Sequence, residues 1–157
     1  MNWRFVNATS IGTSHVRSGL PCQDDCFSDV LSTEGGDVLV AIASDGAGSA
    51  ICAEEGAGLT CATLNEVIEH WLAAGGKPEE ITRELVAEWI AGVRAAIESR
   101  AAGKQLSMRD FACTVVAAVV QETAAAFLQI GDGAIICGLA DSYDVVFWPD
   151  GGEYVNT

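Results

Sequence analysis

Ser44-Asp45-Gly46-Ala47-Gly48-Ser49 closes the apolar run at residues 38–43 and opens a segment of helical pattern. Upstream, Gln23-Asp24-Asp25 precedes another short apolar stretch. A carboxylate at a strand end, held by glycines and followed by a helix, is placed to face a metal ion. Two such groups on neighbouring strands share one divalent cation or two. The chemistry that follows is hydrolysis by metal-activated water. No rival machinery stands beside it. The chain has no Gly-x-Ser-x-Gly elbow, no Walker loop and no Cys-x5-Arg phosphatase loop.

Composition narrows the classes. The 157 residues are 50% hydrophobic and 19% charged, which is enough for one globular domain with a core and unlike a disordered chain. Formal net charge is −14, and no basic run exists to neutralise phosphates, so a nucleic-acid partner is not expected. The acidity suits divalent cations, although solubility explains such an excess equally well. Apolar runs such as residues 115–120 are too short to span a bilayer, and Met1-Asn2-Trp3-Arg4 opens no signal-peptide core. A cytoplasmic protein with no membrane partner is the expectation. Six cysteines include no C-x-x-C pair and only two histidines are present, which argues against a zinc site. Cys52, Cys61, Cys113 and Cys137 read as small buried residues in a reducing compartment. Cys22 and Cys26 flank the acidic pair, where a redox role is the alternative.

The elements that must position these groups are legible as periodicities. Residues 3–11 alternate loosely and predict a strand, and residues 12–21 an irregular polar loop. Residues 26–31 predict a second strand, 32–36 a turn, and 37–44 a central strand covered on both faces. Residues 49–74 predict a helix with Leu64, Val67, Ile68, Trp71 and Leu72 on one face, ended by Gly75-Gly76. Pro78 is a natural first-turn residue of a second helix, whose buried stripe is Ile81, Leu85, Trp89, Val93 and Ile97. Arg100, Gly103 and Lys104 are its stop signals. A tight link makes the two helices antiparallel. Trp71 and Trp89 read as core, and His70 as a surface residue. Residues 111–121, 124–130, 134–139 and 144–148 predict an antiparallel meander. The fold class is α+β in a single domain, residues 1–157, with no linker or internal repeat.

The order of these motifs resembles the type-2C metal-dependent protein phosphatase (PPM) family. Gly12-x-x-His15 and Gly19-x-Pro21-Cys22-Gln23-Asp24-Asp25 come first. Ser44-Asp45-Gly46-Ala47-Gly48 follows, then a helix pair, Cys113-Thr114 and Ile130-Gly131-Asp132-Gly133. The family's succession is Asn-Glu-Asp, Ala-Asp-Gly-x-Gly-Gly, Gly-x-Thr and Gly-Asp-Ser-Arg, and the Pro-Cys-Gln-Asp-Asp form is similar to a bacterial branch. The resemblance implies an antiparallel β-sandwich flanked by helix pairs, an αββα architecture. It implies hydrolysis of phosphoserine or phosphothreonine in a phosphorylated protein substrate. It implies Mn²⁺ or Mg²⁺, with two or more ions in the complete domain and no protein nucleophile. On the family's pattern Asp24 and Asp25 fall on the Glu-Asp pair, with Asp25 on the metal-linked Asp. Asp45 falls on the Asp that bridges two metals, Gly46 on the residue contributing its carbonyl, and Asp132 on an Asp that touches a third metal in bacterial members.

Departures from the pattern carry their own readings. Where the family often has an Arg to hold the substrate phosphate, this chain has Leu20. Arg17 or His15 substitutes if the segment is extended, since residues two apart then share a face; both being solvated loop residues is the other reading. Ala47 stands where some members carry His. Gly131-Asp132-Gly133-Ala134 replaces Gly-Asp-Ser-Arg, so a tight-turn role competes with metal binding. Without a metal, Asp24 becomes a loop carboxylate or local cap, and Asp45 an N-cap of the following helix in competition with Ser49. The family domain runs further and brings two more carboxylate segments, so a C-terminally incomplete domain is expected. An uncovered sheet would then promote self-association or retain a bound C-terminal segment. The alternative function is a non-catalytic, phosphatase-like regulatory binding module.

Overall fold

Alternating side chains build a hairpin of two long strands, β1 (Asp24–Thr33) and β2 (Gly36–Asp45), with Thr33 opposite Gly36 across the turn. The computed structural model describes residues 3–138 and 140–148. Two shorter strands, β3 (Val115–Val120) and β4 (Ala125–Ile130), complete one antiparallel sheet in the order β1-β2-β3-β4. Among the described residues, β5 (Ile136–Gly138) and β6 (Tyr143–Val145) pair only with each other. The predicted four-strand meander therefore splits after β4.

One face of the sheet is the core. Val38, Val40 and Ile42 of β2 and Val115, Ala117 and Val119 of β3 are buried beneath two helices. These are α2 (Ala53–Ala73), contributing Leu64, Ile68 and Leu72, and α3 (Arg83–Lys104), contributing Trp89, Val93 and Ile97. A short helix, α1 (Thr13–Ser18), precedes them. Each large buried side chain contributes about 1.5–3 kcal/mol. Trp71, late in α2, meets Trp89, early in α3, edge to face with ring centroids 5.6 Å apart. At the other end Glu55 pairs with Arg100 and Lys104. The helices are thus antiparallel, as their short link predicts.

Several boundaries differ from the sequence pattern, each for a local reason. Residues 3–11 form no strand. Their backbone pairs with no other strand among the described residues, and the Trp3 indole N–H alone reaches the Asp37 carbonyl at 3.3 Å. The expected loop at residues 12–21 contains α1, which Gly19 stops in the left-handed conformation at φ 69°. β1 begins two residues early, at Asp24 itself. α2 begins at Ala53 rather than residue 49. Before it, Ala47 N–H donates to the Ala112 carbonyl and Cys52 N–H to the Asp110 carbonyl, which pins the segment to a neighbouring chain stretch. Pro78 starts a separate 3-10 turn, and α3 starts afresh at Arg83, where the Thr82 hydroxyl accepts the Leu85 N–H. Residues 108–111 form another 3-10 turn that delivers Phe111 to the core. β2 is buried on one face only; its other face, with Leu39 and Ala41, is half-buried. Residue 139, the predicted end of a strand, lies outside the described residues.

The architecture is α+β, with an antiparallel sheet and a helix pair on one face, as the resemblance implies. No helix among the described residues is long and apolar enough to cross a membrane.

Candidate metal centre

The hairpin register decides which carboxylate faces which. Asp24 lies opposite Asp45, and Asp25 lies opposite Ser44. Gly46 N–H donates to the Gln23 carbonyl at 3.0 Å. Gln23 and Gly46 therefore form a hydrogen-bonded pair, and Asp24 and Asp45 the next, non-hydrogen-bonded pair, whose side chains stand closest. Both project from the sheet face turned away from the helices. Asp25 turns the other way: its Oδ1 accepts the Cys26 N–H at 2.9 Å, and its Oδ2 approaches Gly58 of α2. Asp24, and not Asp25 as expected, shares a face with Asp45, because a one-residue step along a strand reverses the side chain.

Gly46 is where only glycine fits. A Cβ there would lie 2.5 Å from the Gln23 carbonyl oxygen and 2.7 Å from that of Ala53. Its N–H is used by Gln23, while among the described residues no backbone N–H is paired with its carbonyl.

The β2–β3 ladder changes partners at this end. Thr114 N–H donates to the Asp45 carbonyl at 2.8 Å, as a ladder bond should. The return bond does not go to the Thr114 carbonyl. Asp45 N–H donates instead to the Thr114 hydroxyl at 3.1 Å, and the Ser44 hydroxyl takes the freed Thr114 carbonyl at 2.6 Å. Past β4, a Cβ on Gly131 would lie 2.6 Å from the Thr114 methyl carbon, and Gly131 has φ 96°. Asp24, Asp45, Thr114 and Gly131 thus run in one row across four chain segments.

Electrostatics follow from this crowding. Partial burial, a hydrogen bond shared with Asp24, and the charges of Asp24 and Asp132 push the Asp45 carboxyl above its ordinary range, with His15 opposing them. Asp24, Asp132 and His15 are therefore all within electrostatic reach of Asp45. Arg17 is not brought there: it is exposed on α1, and residues two apart on a helix point in roughly opposite directions. The shared face expected for an extended segment is lost. Leu20 is exposed beside the same segment. Asp132 is exposed in the bend after β4. The N-cap of α2 is Cys52, so neither Asp45 nor Ser49 caps that helix.

Three residues that the motifs include gain their roles only from the structure. Ser44 and Thr114 supply the hydroxyls described above; the only sequence signal is a hydroxyl residue at each strand end next to the acidic motif. Gln23 is buried, and among the described residues its side-chain carbonyl oxygen has no partner. A polar residue beside two aspartates gives no hint of burial until the register is known.

Among the described residues no group of three or more His, Cys, Asp or Glu side chains is placed to hold a metal ion by itself. The donors present are two carboxylates and a backbone carbonyl. They fit a hard divalent cation that keeps several waters, since all are oxygens and the carboxylate charges repel one another without a counter-ion.

Comparison with known proteins decides the family. The model of the Protein phosphatase 2C family matches residues 11–157. The chain belongs to the protein phosphatase 2C family. Serine/threonine-protein phosphatase 3 of Escherichia coli (strain K12) is 32% identical over 158 residues. That alignment covers 99% of this chain and 61% of the relative, so the chain spans less than two thirds of that protein's length. The whole row, from Asp24 to Gly131, lies within the matched region.

Proposed function

We propose that this chain is the metal-binding first part of a phosphatase domain that hydrolyses phosphoserine and phosphothreonine in phosphorylated proteins, with Mn²⁺ or Mg²⁺ as cofactor. The observation that carries the reading is the Asp24–Asp45 pair beside the open Gly46 carbonyl, in a chain of the protein phosphatase 2C family. Asp24, Asp45 and the Gly46 carbonyl are the ligands proposed, with Asp132 at the periphery. When bound, the cation supplies an activated water and neutralises charge on the phosphoryl group. The chain's own residues set the stage. The hairpin register holds the two carboxylates side by side, and the crowding at Gly46 fixes the direction of its carbonyl. His15, on α1 and within electrostatic reach of Asp45, serves the substrate phosphate. Asp25, on the helix side, is assigned a structural role.

Titration of the chain with Mn²⁺ by calorimetry tests the reading. Binding that disappears in Asp45→Asn supports it; no Mn²⁺ or Mg²⁺ binding at millimolar concentration overturns it. Turnover of p-nitrophenyl phosphate by residues 1–157 is expected to be weak, because two carboxylates and one carbonyl are a small ligand set for two-metal chemistry. Robust turnover abolished by Asp45→Ala would show that the described residues suffice. That small set also favours the second reading, a regulatory module that binds a partner without turnover. Metal binding by the full-length protein without any phosphatase activity would select it.

A further inference from the structure

We propose that Thr114 is a positioning residue that ties the two acidic segments together, its hydroxyl setting Asp45 and its methyl seating the turn that carries Asp132. The inference rests on the metal-site reading for its functional meaning, but its geometry stands apart from it.

An antiparallel ladder needs no side chain to continue. At this end the ladder is handed over to side chains on both strands: the Thr114 hydroxyl receives the Asp45 N–H at 3.1 Å, and the Ser44 hydroxyl occupies the Thr114 carbonyl at 2.6 Å. The Asp45 backbone is therefore held by a group that can be removed without altering the chain. Its direction is constrained from the other strand by Asp24 opposite and by Gly46 N–H on the Gln23 carbonyl. Loss of the hydroxyl leaves one N–H without its acceptor at the residue whose carboxylate matters most.

The methyl group acts on the other side. Gly131 approaches the Thr114 side chain so closely that a Cβ would stand 2.6 Å from its methyl carbon and 2.8 Å from its Cβ. That contact fixes where the chain leaves β4, and Asp132 is the next residue. The charge of Asp132 is felt at Asp45, so the seat of this turn sets the spacing between two acidic groups. One β-branched side chain with two different ends does both jobs. Serine supplies only the hydroxyl and valine only the methyl groups.

Two variants separate the ends. Both keep β3 in sequence and size, and thermal melting checks that each folds. In Thr114→Val, amide hydrogen exchange at Asp45 is expected to rise about tenfold, the factor for losing one hydrogen bond of ordinary strength, with the amide chemical shifts of Gly131 and Asp132 unchanged. In Thr114→Ser, the backbone amide chemical shifts of Gly131 and Asp132 are expected to move while exchange at Asp45 stays slow. Mn²⁺ affinity, read by electron paramagnetic resonance of the free ion, should fall in Thr114→Val and stay within about twofold in Thr114→Ser. The same response at Asp45, Gly131 and Asp132 in both variants, or none in either, would overturn the proposal. Wild-type chain that binds no Mn²⁺ would sink the metal-site reading, and the exchange pattern would still decide the role of Thr114. Metal binding with Thr114→Val indistinguishable from wild type would refute the link from Thr114 to the site.

Discussion

Replacing Asp45 by Asn should make the metal-free protein more stable and the metal-loaded protein less so. Asp24 and Asp45 are a non-hydrogen-bonded antiparallel pair, so their Cβ atoms are about 4.5–5.5 Å apart. Two unit charges at about 5 Å repel by roughly 1 kcal/mol in water and roughly 3 kcal/mol at an effective dielectric of about 20. Both residues are exposed, so the low end applies, and the gain for metal-free Asp45→Asn is about 1 kcal/mol. For a chain of this size that raises Tm by about 2–4 °C. Excess Mn²⁺ at about 100 times Kd adds roughly 2.7 kcal/mol to the wild type and should add little to the variant, so the order of the two melting curves reverses. The pH dependence has a defined sign. The Asp45 pKa is raised in the folded state above the ordinary carboxylate range, chiefly by partial burial and then by Asp24. A raised pKa contributes stability at pH below the unfolded value that is lost as pH climbs through the folded one. The wild type without metal should therefore weaken, relative to Asp45→Asn, as pH rises above about 4. Differential scanning fluorimetry with chelator and with Mn²⁺, from acid to neutral pH, reads all three effects. A metal-free variant that melts below the wild type, or an undiminished Mn²⁺ shift in the variant, would refute the charge-pair argument.

Gly56→Ala should cost about 2–3 kcal/mol in urea unfolding, because the added Cβ would stand 2.1 Å from the Phe111 carbonyl oxygen. A change under about 0.5 kcal/mol would mean the 3-10 turn carrying Phe111 moves freely against α2. Burial pushes the Cys61 thiol up to about 12, so it should resist a disulfide reagent in the native protein at pH 8, while partly exposed Cys22 reacts; equal rates would contradict the packing of α2. The half-buried outer face of the sheet carries Leu39, Ala41, Val116, Ala118, Val120 and Phe127, and this chain is expected to self-associate through it. Sedimentation tests that expectation: Ala118→Lys should shift the distribution toward 16.3 kDa, and wild-type material already monomeric at high concentration would rule it out.

The helix pair was readable residue by residue. Leu64, Ile68 and Leu72, and Trp89, Val93 and Ile97, are buried as their spacing predicts, because a helix repeats its face within a few residues and needs no knowledge of its partner. The strands of the hairpin and the turn at residues 32–36 were readable for the same reason, since apolar runs and turn residues are local, but that β2 is buried on one face only was not. The acidic motif around Asp45 was visible as chemistry, and the order of motifs pointed to the family that the comparison shows. What the pattern left open was decided by pairing. Whether Asp24 or Asp25 faces Asp45 turns on a register that no single strand records, and one residue of slip exchanges them. Residues 3–11 alternate like a strand yet form none, since a strand exists only where another edge accepts its hydrogen bonds. His15 and Arg17 share a face if extended and lose it in α1, which separates one from Asp45. The burial of Gln23 and the hydroxyls of Ser44 and Thr114 at the ladder's end belong to contacts spanning 23 to 70 positions of chain, between Gln23 and Gly46 and between Ser44 and Thr114. Sequence determined which residue types were available for a metal; only the tertiary register determined which of their side chains meet, because orientation in a sheet is a property of the pair.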